Sequence, residues 1–382
     1  MIMGEKTLRI KLGIVYLTIF GALACYYPFL AIYFADRGLS YSQIGVAFAI
    51  NSLTAVVAQP VWGYLTDKYS GKRKTIALAA IGSTIAILMF MVSKSFLMVL
   101  LSIVFFMTLQ SPVCSVTDAY CYEIIDHNKN LQYGRIRLHG SIGYAILALI
   151  VGAIIKKYGI HSSFIIYSVI TAIGVLVLLS INFKSKHGSS TIRLKDISEL
   201  LRNKKFMLFI SSVAVANIAL GANGNYLSFL IQKTGGDVSK LGILWFIVAM
   251  SELPVLFVGN KLIKKYGELN LYLLSLLIYV LRFFLDSIAP TYSFVLAIQV
   301  MQSITFSLYI ICAMQYLNII VPPKMRATGI TLFSSIGAGF GGFIGNISGG
   351  ILLEWISVFS LFRILGVVIF VAFALGLMLK KM

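Results

Sequence analysis

The chain has 382 residues, of which 59% are hydrophobic and 12% are charged, and its formal net charge is +19. Roughly a quarter of the residues in soluble domains are charged, so this composition excludes a soluble globular protein and indicates a chain that lies in a bilayer. Most of the 32 lysines and arginines fall between apolar runs, on the side that holds both termini. The charge therefore indicates membrane topology and attraction to anionic lipids, and no nucleic-acid partner is expected.

Twelve apolar runs are long enough to cross a bilayer, which takes about 20 helical residues. They predict an all-α integral membrane protein with twelve transmembrane helices in two pseudo-symmetric six-helix bundles. The runs cover residues 8–34, 42–66, 75–92, 96–120, 134–156, 160–182, 206–232, 240–262, 267–287, 290–320, 326–353 and 356–379. Because twelve is even, both termini lie on one side, and the basic loops of that side predict that it is the cytoplasmic side of the cell membrane. The first run has no small-residue cleavage site, so we expect a retained helix and not a signal peptide.

The loop between the second and third runs has the spacing G-x-L-x-D-K-x-x-G-K-R-K. We expect Gly63 to allow close approach of a neighbouring backbone and Asp67 to accept from exposed amides at a nearby helix start. Lys72, Arg73 and Lys74 would hold the turn on one side of the membrane. An ordinary positive-inside loop explains the basic residues but not the spacing from Gly63 to Asp67. The loop resembles the signature between the second and third helices of the major facilitator superfamily, and we interpret its five residues as a conformational motif.

The fourth and fifth runs carry an acidic and a basic residue that a bilayer disfavours. Asp118 follows Pro112 closely, and Arg137 shares a helix face with Ser141 and Tyr144 at i+4 and i+7. An acid, a guanidinium, a hydroxyl and an aromatic ring facing one cavity suit a polar solute with a flat face. The alternative is that Arg137 is a cytoplasmic anchor and that Asp118 belongs to the loop. Residue chemistry alone favours neither interpretation.

One long polar segment, rich in Lys, Ser and Arg, lies in the middle of the chain. It predicts an N-terminal six-helix bundle at residues 1–182, a cytoplasmic linker at 183–205 and a C-terminal six-helix bundle at 206–382. Each half is long enough for its own bundle.

The two halves also repeat short sequences at nearly the same offset. The tripeptide Ser-Ile-Gly at residues 141–143 recurs at 335–337. A loop similar to the charged loop at residues 63–74 occurs at residues 259–267. This recurrence predicts a duplication, and paired halves in transporters place the solute site at the midplane between them.

Four charged residues, Glu252, Arg282, Asp286 and Arg363, fall inside apolar runs of the second half, where each needs a partner or a water-filled cavity. Arg363, early in the last run, is interpreted as an interfacial residue whose head group reaches the membrane surface. Glu252 has no local basic partner and is followed by Pro254, so we expect it to carry protons; the alternative is a solvated acid near the surface. Arg282 and Asp286 are i,i+4 on the ninth helix and share a face. Their alternative role is an intrahelical clamp with no part in transport.

The remaining features narrow the class of protein. The eleventh run is dense in glycine, which favours tight helix packing in lipid over the alternative, a flexible gating helix. The four cysteines lie in or at the ends of apolar runs and are interpreted as packing residues. The sequence has no nucleophile–base spacing, HExxH motif or Cys/His ligand cluster. We therefore expect no enzymatic activity, no metal and no cofactor, with the proton gradient as the source of coupling.

Six segments spread over both halves carry a further pattern: Tyr27-Pro28-Phe29, 35–40, 59–68, 133–144, Glu252 and 281–284. Together they are similar to the lactose permease and phenylpropionate permease branch, which consists of proton-coupled symporters of the major facilitator superfamily. The resemblance implies that Arg137 binds solute hydroxyls with Asp118 as its carboxylate partner, and that Tyr144 stacks on the solute. It also implies that Glu252 and Arg282 act in substrate binding and proton coupling.

The chain departs from those relatives at several positions. Gln302 stands where they have histidine, and no carboxylate follows one turn later. The seventh run offers Asn217, Asn223 and Asn225, and the eleventh has no lysine, so the acid–lysine pair of the sugar transporters is missing. Asp286 is an alternative acid.

We therefore predict a secondary active transporter that couples proton entry to uptake of a small polar or aromatic solute, such as a sugar, glycoside or nucleoside, by alternating access. The predicted substrate-binding residues are Asp118, Arg137, Ser141, Tyr144, Tyr27, Asn223 and Asn225, and the predicted proton-coupling residues are Glu252, Arg282 and Asp286. The alternative is a proton-driven efflux antiporter for amphipathic compounds. The cavity of such a protein should be mostly aromatic, and the 26 Phe and 20 Tyr residues are consistent with it. We expect a monomer whose partners are the solute, protons and membrane lipids, including anionic lipids.

Overall fold

The computed structural model describes residues 5–128, 130–183 and 194–382. Every regular element in these residues is helical, and twelve helices are long and apolar enough to cross a membrane. The prediction of an all-α membrane protein with twelve transmembrane helices is therefore confirmed. Residues 184–193 of the predicted linker lie outside the described part of the chain, and a short helix, Leu194–Arg202, follows them.

We number the spanning helices α1 to α12. The first six are α1 (Glu5–Tyr26, continued by Tyr27–Phe29 and Leu30–Asp36), α2 (Tyr41–Leu65, continued by Thr66–Ser70), α3 (Lys72–Val92), α4 (Phe96–His127), α5 (Tyr133–Tyr158) and α6 (His161–Leu179). The next three are α7 (Lys204–Lys233), α8 (Val238–Tyr266) and α9 (Glu268–Asp286). The last three are α10 (Tyr292–Gln299, continued by Val300–Gln302, Ser303–Ser307 and Leu308–Ile320), α11 (Arg326–Ser334, continued by Ser335–Gly341 and Gly342–Trp355) and α12 (Val358–Met378).

Proline and glycine explain several interruptions and ends of these helices. Pro28 lies in the 3₁₀ turn Tyr27–Phe29 that interrupts α1, because proline removes a backbone donor from the helical ladder. Gly159 and Gly267 follow α5 and α8 with φ of 81° and 79°, a conformation that other residues rarely adopt. The helix ends are therefore encoded locally.

The chain forms two compact units. One comprises Met1–Arg37, Thr54–Ser190 and Asp237–Met250, and the other comprises Gly38–Leu53, Thr191–Gly236 and Ser251–Met382. The first half of α2 thus belongs to the second unit, and the first half of α8 belongs to the first. The predicted domain boundaries at residues 183 and 205 stay a prediction.

In the first unit α1 packs against α5 and α6, and α3 packs against α4 and α6. The α1–α5 contact depends on Gly143, because a Cβ atom there would overlap the backbone of Leu17. The first half of α8 joins this unit through Gly242, which lies against Gly152 of α5. Small residues allow this close approach of helices.

An ion pair supports the same α5–α8 contact. Lys156 Nζ lies 2.7 Å from Asp237 Oδ2, just before α8 begins. The hydrogen bond from Lys156 lowers the pKa of Asp237 to about 2, so this carboxylate is charged at neutral pH.

In the second unit α7 packs against α11 and α12, and α9 packs against α10 and α12. Gly337 of α11 faces Val213 and Asn217 of α7, and a Cβ atom on Gly345 would overlap the backbone of Ile218. Close packing is therefore what the glycines of α11 provide. Gly143 and Gly337, the equivalent glycines of the repeated tripeptide, thus pack against the first spanning helix of their own predicted halves.

Candidate functional site

Arg137 lies on α5 with its guanidinium against aromatic rings. Its guanidinium carbon is 3.7 Å from the centroid of the Phe20 ring and 6.0 Å from that of Tyr16. Guanidinium groups stack favourably on aromatic faces while their N–H donors remain available. Within the described residues, no hydrogen bond from this guanidinium to another side chain or carbonyl is found. Arg137 is thus positioned by stacking, and its N–H donors have no acceptor among the described residues.

Gly140 provides the room for this stacked arginine. A Cβ atom at position 140 would lie 2.8 Å from Arg137 Nη1 and 2.9 Å from Phe20 Cδ2. Both distances are shorter than ordinary van der Waals contact. Any side chain here would displace the guanidinium, the ring or both.

We therefore expect Gly140→Ala to reduce solute transport about 10-fold or more while the protein still folds, because losing the arginine geometry costs one charge-assisted contact. Gly134→Ala is a matched control on the same helix, since no heavy atom lies within 4 Å of a Cβ there. Transport kinetics of the two purified variants in vesicles make the comparison. Equal activity of both variants would contradict the positioning role of Gly140.

Asp118 of α4 is half-buried and accepts two phenol hydrogen bonds. The hydroxyl of Tyr16 donates to Asp118 Oδ1 at 2.6 Å, and that of Tyr133 donates to the same oxygen at 2.9 Å. Among the described residues, Asp118 and Arg137 do not form a direct ion pair. Tyr16 thus bonds to Asp118 while its ring centroid lies 6.0 Å from the guanidinium carbon of Arg137, so this phenol lies near both residues that were predicted to pair.

Three aromatic rings form a second part of the site. The Trp245 ring of α8 lies 5.6 Å from the Tyr27 ring and 6.1 Å from the Tyr144 ring, edge to face in both cases. We call Tyr27, Tyr144 and Trp245 the aromatic cluster. Ser141 lies on α5 between Arg137 and Tyr144 and is half-buried. The first unit therefore combines a guanidinium, a hydroxyl and three rings on neighbouring helices.

The sequence interpretation missed the phenols and the tryptophan. Tyr133 precedes Arg137 by one helical turn, and Trp245 precedes Glu252 by two turns on α8, so periodicity could have placed both on these faces. Tyr16 lies inside an apolar run and carries no such signal. Trp245 is half-buried, and in the described structure its indole N–H has no hydrogen-bond partner.

In the second unit, a chain of hydrogen bonds joins two carboxyl groups. Gln302 Nε2 donates to Glu252 Oε1 at 3.3 Å, and Gln302 Oε1 accepts from Arg282 Nη1. Arg282 Nη2 donates to Gln299 Oε1, and Gln299 Nε2 donates to Asp286 Oδ1 at 3.4 Å. We call these five residues the carboxyl network. It connects all three predicted proton-coupling residues.

The direct pairing of Arg282 with Asp286, which was the alternative role for these two residues of α9, is not found among the described residues. Among the described residues the two side chains are joined through Gln299, because Arg282 reaches across to acceptors on α10, including Thr305 Oγ1 at 3.0 Å. Arg282 Nε and Asp286 Oδ2 are buried and have no hydrogen-bond partner in the described part of the chain. The part of the network formed by Arg282, Gln299 and Asp286 is therefore buried but incompletely satisfied, and unpaired polar groups at such a place cost free energy.

The winding of α10 brings its acceptors to Arg282. A 3₁₀ turn, Val300–Gln302, follows Gln299 and is continued by a π-helical turn, Ser303–Ser307. In a 3₁₀ turn, residues i and i+3 align, so Gln299 and Gln302 face the same way. Irregular helical turns of this kind often occur at functional sites.

The two predicted asparagines of α7 have different surroundings. Asn225 is buried, and its Nδ2 donates to Asn346 Oδ1 of α11 at 2.7 Å. Asn346 Nδ2 lies 3.4 Å from Ser52 Oγ of α2. Asn225 is thus engaged in contacts between helices. Asn223 Oδ1 is buried and, within the described residues, accepts no hydrogen bond.

Two basic residues at the α2–α3 junction, Lys72 and Arg73, contact neighbouring segments of the first unit. Lys72 Nζ lies 3.0 Å from Glu123 Oε2 of α4, and Arg73 Nη1 donates to the Ile181 carbonyl at 2.6 Å. Lys74 is exposed. Lys72 and Arg73 therefore hold the start of α3 within the first unit.

The expected close approach at Gly63 is not present. No heavy atom of the described chain lies within 4 Å of a Cβ built there. Val61 and Tyr64 are 52% and 58% exposed, so among the described residues this face of α2 has no packed neighbour. Asp67 lies in the π-helical turn Thr66–Ser70, and its role as an acceptor for helix amides stays a prediction.

Comparison with known proteins identifies the family. The model of the MFS_1 like family matches residues 9–364. This chain belongs to the MFS_1-like family of major facilitator transporters. It is 29% identical to the uncharacterized transporter YwbF of Bacillus subtilis (strain 168), over 93% of this chain and 89% of that protein. It is 26% identical to a maltose permease of Geobacillus stearothermophilus, over 97% and 96% of the two chains.

The fold has a solved counterpart. The crystal structure of a point mutant of the nucleoside transporter NupG superposes with a TM-score of 0.89 at 18% sequence identity, covering 97% of this chain and 99% of that one. At this identity the likeness concerns the fold. The predicted superfamily is confirmed, and the chain is a multi-pass membrane transporter of small solutes.

Proposed function

We propose that this transporter takes up a small polar, ring-bearing solute, such as a sugar, glycoside or nucleoside, by proton symport across the cytoplasmic membrane, with both termini in the cytoplasm. The observation that carries the proposal is the Arg137 guanidinium, stacked on Phe20 with no hydrogen bond to another described residue. A charged group within a spanning helix is retained where it has a partner or a task. Solute oxygens would supply the missing acceptors, since arginine presents five N–H donors in a fixed fork.

The charge near Arg137 favours a neutral solute over an anionic one. Tyr16 donates to Asp118, and the centroid of its ring lies 6.0 Å from the guanidinium carbon of Arg137. An acidic residue so near the guanidinium disfavours a second anion at this place, so we propose that the solute supplies acceptor oxygens and carries no net charge. Hydroxyl-rich sugars and nucleosides meet this requirement. The relative named as a maltose permease supports the sugar or glycoside class.

Glu252 is the proposed proton carrier. Protonation would convert its carboxylate from an acceptor into a group with one O–H donor, which changes its hydrogen bond with Gln302. Gln302 also accepts from Arg282, so a change at Glu252 is transmitted toward Gln299 and Asp286. This geometry supports coupling between the protonation state and the packing of α8, α9 and α10.

A screen of solute classes tests the proposal. Purified protein in vesicles is given an inward proton gradient and labelled sugars, nucleosides or aromatic acids in turn. We expect accumulation of one neutral, ring-bearing class, lost when a protonophore collapses the gradient. If none accumulates and amphipathic compounds are exported against protons, the protein is an efflux antiporter and the proposal is wrong.

The aromatic cluster gives a direct optical test of where the solute binds. We expect the solute to change the fluorescence of the native protein and of Trp355→Phe, since Trp355 is 84% exposed. Trp245→Phe should lose that change. Trp245→Leu should weaken binding about 10-fold, because stacking on one ring contributes roughly 1–3 kcal/mol. A solute signal that persists in Trp245→Phe would remove Trp245 from the site.

A further inference from the structure

A groove on the second unit shares no lining residue with the candidate site. Its volume is about 680 Å³, and it runs between α9 and α10 near the end of α8. Leu271, Leu274 and Ile278 of α9 form one wall, at the spacing of a single helix face. Ile304 and Leu308 of α10 form the other. Along most of its length the groove is therefore apolar.

The apolar walls are open to the surroundings of the protein. Leu274 is 45% exposed and Ile304 is 41% exposed. In a chain that spans a bilayer, such surface is covered by hydrocarbon. The walls by themselves would accept any acyl chain, so the selectivity of the groove depends on its end.

One end of the groove is polar and basic. Lys380, in the last helical turn of the chain, lines the groove together with Tyr266 and Asn270. Lys265 adds its ammonium 5.0 Å from the centroid of the Tyr266 ring, and Lys264 precedes it in the last turn of α8. This end therefore carries a concentration of positive charge directly beside an apolar slot.

One acidic residue, Glu268, lies in the same stretch of the described chain as Lys264 and Lys265. Glu268 begins α9 between Tyr266 and Asn270 in sequence. It balances only one of the three nearby lysines, so the end of the groove stays net positive. Asn270 Nδ2 donates to the Tyr266 carbonyl at 2.9 Å, which fixes the backbone around the rim.

We propose that this groove binds an anionic phospholipid, with one acyl chain between α9 and α10 and the phosphate beside Lys380. A soluble anion would satisfy only the lysine, and a zwitterionic lipid would fill the walls without matching the net positive rim, whereas an anionic lipid does both with one molecule. Basic pockets between spanning helices are suited to anionic headgroups. The site shares no residue with the proposed solute-binding residues. It assigns a specific binding place for anionic lipid, beyond the general attraction expected from the net positive charge of the chain.

Fluorescence quenching by brominated lipid tests this site on the whole protein. Leu274→Trp places a reporter in the groove, and Leu277→Trp is a matched control on the same helix, since Leu277 is also 45% exposed but does not line the groove. Each variant is reconstituted in vesicles containing dibrominated phosphatidylglycerol or dibrominated phosphatidylcholine. At the Leu274→Trp reporter we expect phosphatidylglycerol to bind about fivefold more tightly than phosphatidylcholine, because one lysine near a membrane surface strengthens the binding of an anionic lipid by about that factor. At the Leu277→Trp control we expect no preference.

Removal of the charge separates headgroup recognition from acyl contact. Lys380→Gln in the Leu274→Trp background should abolish the preference, whereas Lys157→Gln, an exposed lysine at the end of α5, should leave it unchanged. Equal quenching by both lipids at the Leu274→Trp reporter would overturn the proposal. A preference that survives Lys380→Gln would overturn the assignment of the headgroup to Lys380.

Discussion

Arg137→Lys is expected to reduce solute uptake about 100-fold or more while the protein remains folded and inserted. A lysine ammonium is a point charge that cannot donate from two parallel N–H groups, and it does not stack on Phe20 as a planar guanidinium does. Hydrogen bonds to charged groups each contribute roughly 1.5–3 kcal/mol, so the loss of a bidentate contact accounts for an effect of this size. Initial rates of uptake in vesicles, normalised to protein content, measure it.

Arg135→Lys is the matched control for this change. Arg135 lies on the same helix, two residues earlier, and is exposed. We expect its uptake to stay within about twofold of the native protein, as for most surface substitutions. Near-normal uptake by Arg137→Lys would remove Arg137 from the solute site and return it to the role of a membrane anchor.

Glu252→Gln is expected to abolish accumulation driven by the proton gradient while exchange of internal for external solute continues. The amide keeps the shape of the side chain and can still bond to Gln302, but it cannot bind or release a proton. The variant should therefore equilibrate solute without concentrating it. Counterflow and gradient-driven uptake, measured on the same vesicles, separate the two activities.

Glu199→Gln provides the control, because Glu199 is an exposed acid on the short helix Leu194–Arg202. Its accumulation should match that of the native protein. If Glu252→Gln still accumulates solute with unchanged pH dependence, the carrier role passes to Asp286, and Asp286→Asn becomes the deciding variant. If both Glu252→Gln and Asp286→Asn still accumulate solute, proton coupling through the carboxyl network is contradicted.

The sequence predicted the helices well because the bilayer imposes a length and a polarity that composition reveals directly. Even Pro112 and Pro254 lie inside continuous helices, α4 and α8, since neighbouring helices can compensate for the lost backbone bond. The irregular turns of α10 were not predicted. These turns place Gln299, Gln302 and Thr305 around Arg282, an arrangement between helices that a single sequence does not show.

The site was only partly predictable for the same reason. Arg137, Asp118 and Arg282 could be identified because they are charged residues inside apolar runs. Placing a charge in a bilayer costs free energy, so such residues are rare in spanning segments. The partners of these charges are phenols and amides on other helices, such as Tyr16 and Gln299. Whether such residues face a charge depends on helix rotation, which a single sequence does not encode in its composition.

Solute-induced proton movement tests the central claim most directly. Energy-starved vesicles with the native orientation are placed in weakly buffered medium, and a transported solute is added while external pH is recorded. Proton symport through Glu252 predicts a transient alkalinisation that a protonophore removes and that Glu252→Gln lacks. Entry of solute without any pH change, or with acidification, would contradict it.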